Sequence, residues 1–262
     1  MKKEKRTGVK KFVSRSITIL CLGIFFYAGY GLIDIGIEYY QNRQVLSDTQ
    51  DMFYNGVSAN ENTQGQDTRG SGEVRPEFNE LLNGNTDVAG WITVDGTNID
   101  YPILQAKDNV TYLDRNYYQD DSIAGSIFLD YRNNVDTLDL NTIIYGHRMK
   151  DGSMFQDLIN FMDEDFFNKH RTIELETLYD SYEAEIFAVY NTTTDFNYIQ
   201  TDFSSEEDYA NLLINIKEKS LFDSNIEVDE HDQIITLSTC DYSLDPDEGR
   251  LAVHAKLIKK DN

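Results

Sequence analysis

Cysteine is nearly absent from this 262-residue chain: it holds two, Cys21 and Cys240, one inside an apolar run and the other near the C-terminus. No disulfide joins two such positions, so each is expected as a free thiol. Positive charge is also scarce once the first fifteen residues are passed. Those fifteen hold seven Lys or Arg and one Glu, net +6, and with the whole chain at a formal −23 the remainder carries −29. A body that acidic repels nucleic acid and gains nothing from anionic lipid, which excludes DNA and RNA binding. Histidine occurs four times, so any chemistry that needs an imidazole has few candidates. No internal repeat is present, and 40% hydrophobic content over this length fits one folded domain with appendages.

Charge of either sign is missing from Ile17 to Ile33. As a helix those seventeen residues span ~26 Å, close to the hydrocarbon thickness of a bilayer. No Ala-x-Ala-like cleavage site follows, so a retained anchor is expected rather than a cleaved signal. The basic residues all precede the run, which places the N-terminus in the cytoplasm and the rest outside. The expected organisation is a cytoplasmic tail at 1–15, a transmembrane signal anchor at 16–33, an extracellular helix and linker at 34–75, and a folded domain at 76–262. Cys21 then reads as a membrane-buried thiol, and Cys240 as an unpaired thiol in an exported domain, where it is either a liability or a reagent.

Residues 55–75 carry Gly56, Gly65, Gly70 and Gly72 among polar side chains, which is linker chemistry. Pro76 opens a short helix closed by Gly84. Asp95-Gly96 predicts a two-residue hairpin between Trp91–Val94 and Thr97–Asp100. Further strands are expected at Ser126–Asp130, Asn141–His147, Thr172–Thr177, Tyr182–Tyr190, Gln233–Cys240 and Arg250–Ile258, eight in all, which suggests a barrel or sandwich. One helix is expected after Gly152, capped by Ser153 and running through Met162. A second follows the capping box Ser204-x-x-Glu207, with Tyr209, Leu212, Leu213 and Ile216 on one face. It falls between two strands and could wall a groove.

The last two strands carry the chemistry. Ile235 and Leu237 share one face of the first, while Ile234, Thr236, Ser238 and Cys240 share the other. Leu251, Val253, Ala255 and Leu257 form the apolar face of the second, leaving Arg250, Ala252 and His254 opposite. A thiol and a guanidinium are therefore expected together on the outer side of a sheet end. A nucleophilic cysteine needs a proton acceptor and an oxyanion-stabilising donor. Of the histidines, His147 ends a strand run and precedes a polar turn, whereas His170 and His231 sit in charged connections and His254 reads as structural. Asp241, Asp245, Asp247 and Glu248 crowd negative charge near the thiol, and Arg250 opposes them.

These residues resemble the sortases, cysteine transpeptidases of Gram-positive cell surfaces. The resemblance rests on Thr236-Leu237-Ser238-Thr239-Cys240, Arg250 ten positions on, and Tyr145-Gly146-His147-Arg148-Met149. Asp87–Ile92, Tyr101-Pro102, Asp108-Asn109-x-x-Tyr112-Leu113 and Gly125–Asp130 are similar to class B in particular. The resemblance covers most of 76–262. It implies a mainly β fold, a closed eight-stranded sortase-type barrel with N-terminal helices and a helix inserted between two late strands. It implies Cys240 as nucleophile, His147 as general acid and base, and Arg250 as the cation on the oxyanion, with Asn109, Leu113, Tyr145, Ser238 and Thr239 contacting substrate. The implied substrate is an Asn-Pro-x-Thr-like sorting signal of a surface protein, cleaved after Thr and passed to an amine, with no metal or organic cofactor. The acceptor stays open at this point between a cell-wall precursor amine and a pilin lysine. A cysteine hydrolase and a non-catalytic anchored binding module are the readings outside transpeptidation.

Overall fold

The computed structural model describes residues 2–61, 72–134, 137–241, 245 and 247–260. The linker glycines Gly65 and Gly70 lie outside them. Helix α1 runs from Lys2 to Glu61, so the stretch to residue 61 that was expected to begin a linker is helical. The chain divides into two compact units at Arg43/Gln44. In the first, α1 exposes Ile19, Phe25, Phe26, Leu32 and Ile33. The helix is long and apolar enough to cross a membrane, with a window of mean hydropathy 1.9.

The second unit begins at Gln44, earlier than the boundary expected near Arg75, because the end of α1 is part of its packing. Phe53 stacks on Trp91 with ring centroids 4.4 Å apart and 1° between planes. Asp100 then gathers donors around that contact: Trp91 Nε1 at 2.7 Å, Thr93 Oγ1 at 3.0 Å and Tyr54 Oη at 2.9 Å. A short 3-10 turn, Pro76–Phe78, and helix α2, Asn79–Gly84, close over the same cluster, with Phe78 and Leu81 fully buried.

Eight strands form a closed barrel: β1 Val88–Val94, β2 Asp100–Leu104, β3 Ile127–Leu129, β4 Asn141–Tyr145, β5 Thr172–Thr177, β6 Ser181–Thr192, β7 Ile234–Cys240 and β8 Arg250–Lys259. Their order around the barrel is β1-β2-β3-β4-β7-β8-β6-β5. Two neighbours, β2/β3 and β4/β7, are parallel and the other pairs antiparallel. The eight-stranded barrel is the architecture expected, with local corrections. Asp95-Gly96 does form a tight turn, with Gly96 at φ +73° and Thr97 N donating to Val94 O. The ladder, however, resumes at Thr93 opposite Asp100, so the connection is longer than two residues and β2 starts at Asp100.

Ser153 caps no helix; its hydroxyl donates to Asp151 at 2.7 Å, and the segment expected as one helix is a 3-10 run, Gln156–Met162. Asp163 then caps helix α3, Glu164–Lys169, which the sequence pattern did not separate. Helix α4, Glu206–Lys219, lies between β6 and β7 as expected, but its cap is Ser205, one residue later than the box predicted. Ser205 Oγ accepts from Asp208 N, and the Asp208 carboxylate accepts from Ser204 N, so Asp208 rather than Glu207 closes the box.

The outer face of β7 and β8 is not open along its length. Tyr209, Leu212, Leu213 and Ile216 of α4 bury Ile234 and Ala252 there, together with Tyr190 and Tyr198. His254 lies fully buried in this layer. Thr236 Oγ1 donates to Asn141 Oδ1 at 2.7 Å, so it accepts from His254 Nδ1, and His254 Nε2 accepts from Tyr190 Oη, both at 2.8 Å. Burial drives the His254 pKa from 6.5 to about 3.

Two stability predictions follow from these contacts. Phe53→Ala removes the ring stacked on Trp91 and is expected to lower unfolding free energy by about 3–5 kcal/mol in urea titration. Below pH 6.5 the unfolded chain binds a proton at residue 254 that the folded chain refuses until about pH 3. This residue therefore makes stability fall by up to about 1.4 kcal/mol per pH unit as acid is added across that window. His254→Gln should be less stable at pH 7 yet show a shallower acid decline; an equal slope in both proteins refutes the assignment.

Candidate active site

Cys240 and Arg250 close the β7–β8 ladder as its terminal register pair, at the one end of the outer face that α4 leaves uncovered. The loop between them is built on one carbonyl. Gly249 O accepts from Asp241 N at 2.9 Å and from Arg250 Nη1 at 2.9 Å, linking the residue after the thiol to the guanidinium. Asp247 O accepts a second, longer bond from the same nitrogen at 3.3 Å. A Cβ at Gly249 would lie 2.0 Å from Asp241 O and 2.6 Å from Asp245 O, so only glycine allows this approach.

Two of the loop's four carboxylates, Asp241 and Asp245, are held by defined partners. Asp245 accepts from Glu248 N and Asp247 N, and those backbone bonds hold its carboxyl below the usual range. Asp241 is buried and pairs with Arg148 Nη1 at 3.2 Å. That pair ties the residue following Cys240 to the residue following His147.

His147 arrives through β4. The parallel register sets Tyr145 opposite Ser238, and Gly146 N extends it by donating to Ser238 O at 3.3 Å. His147 therefore leaves the sheet beside the end of β7. Its Nε2 lies 2.7 Å from Leu113 O, and since a carbonyl only accepts, Nε2 carries the proton. Nδ1 is the ring atom left to take or give one.

All eight residues singled out from sequence, Asn109, Leu113, Tyr145, His147, Ser238, Thr239, Cys240 and Arg250, line one open cleft of about 220 Å³, with Phe128 and Gly146 completing it. Their local settings differ. Ser238 Oγ and Tyr198 Oη share a buried hydrogen bond of 2.8 Å. Thr239 Oγ1 is buried without a hydrogen-bond partner among the described residues. Leu113 stands half exposed at the rim, its carbonyl on His147. Asn109 and Tyr145 are both held by Asp130, which sequence reasoning passed over.

Asp130 is fully buried and accepts from Arg132, Asn109 and Tyr145. Burial alone would raise its carboxyl, but the donors, led by Arg132, bring it below the normal range. Tyr145 is pushed far above the usual phenol range by burial and by Asp130. Tyr198 was also missed: burial raises its pKa, and the hydrogen bond with Ser238 and the Arg250 guanidinium oppose that rise. It belongs to an irregular segment between β6 and α4, where no periodic pattern marks it.

A thiol, an imidazole and a guanidinium around one cleft of a closed mixed barrel are the set of groups that cysteine acyl transfer requires. Residues 92–258 match the sortase domain family model. The sortase B of Listeria monocytogenes is 46% identical over 254 residues, 96% of this chain and 99% of that protein. A sortase B structure from Bacillus anthracis superposes with TM-score 0.76 at 49% identity, over 85% of this chain and 98% of that one. The Staphylococcus aureus sortase B–substrate complex gives TM-score 0.77 at 37% identity, over 86% and 100%. The chain belongs to the sortase family. Within it, it is a sortase-B-type cysteine transpeptidase, of the kind that anchors surface proteins.

One prediction tests the loop geometry. Gly249→Ala should leave the barrel folded by circular dichroism yet lower kcat/KM by about 10²-fold, because displacing Asp241 and Arg250 by about 1 Å misaligns the cleft. Activity within threefold of the parent would show that the shared carbonyl does not set the alignment.

Proposed function

We propose that the enzyme cleaves an Asn-Pro-x-Thr-like sorting signal after its threonine and transfers the surface protein to a cell-wall amine. Cys240 Sγ attacks the threonine carbonyl carbon while its proton passes to His147 Nδ1. Negative charge develops on the former carbonyl oxygen, and the Arg250 guanidinium, held at the cleft by Gly249 O and Asp247 O, stabilises it. Collapse of this intermediate breaks the peptide bond; His147 returns the proton to the departing amine, leaving a thioester on Cys240. The acceptor amine then attacks the thioester and yields its proton to His147. The new amide forms as the thiolate leaves and is reprotonated.

The observation that carries this reading is the terminal register pair Cys240–Arg250 in one cleft with His147. Asn109, Leu113, Tyr145, Ser238 and Thr239 form the peptide-binding walls. The apolar part of α1 acts as a single membrane anchor, with the basic tail in the cytoplasm and the catalytic unit outside; the seven basic residues ahead of the span support that orientation.

The test incubates the full chain in detergent with quenched Asn-Pro-x-Thr-x peptides, followed by mass spectrometry. Cleavage after Thr with an acyl adduct on Cys240 is expected, and neither in Cys240→Ala. His147→Ala should lower kcat by about 10²–10⁴-fold, the usual worth of a positioned acid and base. Arg250→Lys should lower it by about 10²-fold, since a point charge cannot reproduce the guanidinium donors. A reactive Cys240 that forms no adduct with any such peptide would overturn the substrate assignment.

A further inference from the structure

Five donors converge on the Asp130 carboxylate. Oδ1 accepts from Arg132 N at 2.9 Å and Arg132 Nε at 2.8 Å. Oδ2 accepts from Arg132 Nη2 at 2.7 Å, Asn109 Nδ2 at 2.9 Å and Tyr145 Oη at 2.9 Å. The carboxylate is fully buried whereas Arg132 is a third exposed. Such an ion pair contributes little to stability compared with an apolar filling of the same space. Its position in the fold suggests a different use, because the two neutral groups it holds both line the cleft.

An ionised carboxylate can only accept, and this has a directional consequence for each neighbour. Asn109 must turn its amide nitrogen toward Asp130. Its oxygen is fixed from the other side, accepting from Tyr131 N at 3.0 Å. The amide cannot flip without losing both bonds, and the polar capacity it retains on nitrogen is one N–H donor. Tyr145 spends its only hydroxyl proton on Asp130, so its oxygen remains purely an acceptor. Arg132 Nη2 also donates to Ile199 O at 3.0 Å, extending the same network to the segment that carries Tyr198.

We propose that the Asp130–Arg132 pair is a positioning element for peptide recognition: it fixes Asn109 as a donor and Tyr145 as an acceptor on the cleft wall, a pattern that matches the alternating C=O and N–H groups of an extended peptide backbone. The proposal rests on the reading of the cleft as a peptide site. It deepens that reading by assigning two residues that touch no reacting atom to affinity and register rather than to the chemical step.

The experiment compares Asp130→Asn, Arg132→Lys and Tyr145→Phe with the parent as full chains, measuring kcat and KM on one cleaved sorting peptide. Alkylation of Cys240 by iodoacetamide reports the integrity of the catalytic end. Asp130→Asn can offer its own N–H groups, which frees the Asn109 and Tyr145 orientations; KM is expected to rise about tenfold or more, with kcat within threefold and alkylation unchanged. Arg132→Lys keeps the charge but loses the forked contact and should raise KM nearly as much. Tyr145→Phe should raise KM also, and Asp130→Asn on that background should add less than it does alone, since part of its effect runs through the hydroxyl. Should Asp130→Asn fail to fold, Arg132→Lys with Tyr145→Phe supplies the same comparison.

Unchanged KM in these variants, or kcat and alkylation falling together with no rise in KM, overturns the proposal while leaving the thioester reading intact. Absence of cleavage by the parent enzyme overturns the peptide reading and the proposal with it.

Discussion

Backbone hydrogen bonding along β7 fixes the relative positions of everything that matters in this cleft. The strand is paired on one side with β4, parallel, and on the other with β8, antiparallel. The parallel register delivers Tyr145, Gly146 and then His147 to its end, and the antiparallel register delivers Arg250 opposite Cys240. A one-residue slip of β7 against either neighbour would turn the thiol to the barrel interior and bring Ile235 and Leu237 out. The register is therefore held by the whole core, since Ile235, Leu237, Leu251 and Val253 are fully buried. The ladders align Cys240 with Arg250 and bring His147, two residues past β4, to the same end, where Leu113 O, Gly249 O and the Asp241–Arg148 pair complete the alignment.

This arrangement explains why polar groups can be buried on the outer face so near the site. The layer under α4 contains Thr236, His254, Asn141 and Tyr190, and in their shared chain of hydrogen bonds each link fixes the direction of the next. The chain continues through Asn141 Nδ2 to the carbonyls of Tyr198 and Gln200, and Tyr198 returns to Ser238 on β7. The segment before α4 is thus tied to the strand carrying the thiol. A fully satisfied polar layer is rigid, because breaking one bond strands a buried donor or acceptor. In that layer an apolar filling would pack as well but would leave the segment free to slide.

Alternation in the sequence marked most strands and left a barrel or a sandwich open; closure into a barrel followed from the family resemblance, while β7 and β8 could be set face against face from residue identities alone. The facing argument placed Cys240 with Arg250, and His254, on the same face as Arg250 but further along the strand, pairs with Thr236 instead. It did not foresee that α4 and Tyr198 would cover most of the outer face, since both faces of β7 alternate between residues that can be buried. The pattern over Gln156–Met162 does not separate a 3-10 run from an α-helix, because over seven residues a period of 3.0 and one of 3.6 select nearly the same apolar positions. The α4 cap shifted by one because Ser204 and Ser205 are adjacent, each with an acidic residue three positions on. Asp130 was legible only as the end of a strand run and Arg132 not at all: what they hold, Asn109 and Tyr145, is brought to them only by the closed barrel.

The acidity of the chain takes on a different meaning once these pairings are seen. Near the thiol, Asp241 is matched by Arg148 and Asp245 by backbone N–H groups, so these two carboxylates shape the loop that joins Cys240 to Arg250. At the opposite wall Asp130 is matched by Arg132. The two buried carboxylates do similar work at the two sides of the cleft: one ties the thiol loop to the His147 loop, the other orients Asn109 and Tyr145 on the cleft wall. A cleft whose reactive groups sit on rigid strand ends can leave the thiol, imidazole and guanidinium unpaired with one another in the resting enzyme, because their spacing is set elsewhere. In the proposed mechanism their hydrogen-bonding capacity is then kept for the substrate carbonyl and the departing amine, which is where transition-state stabilisation requires it.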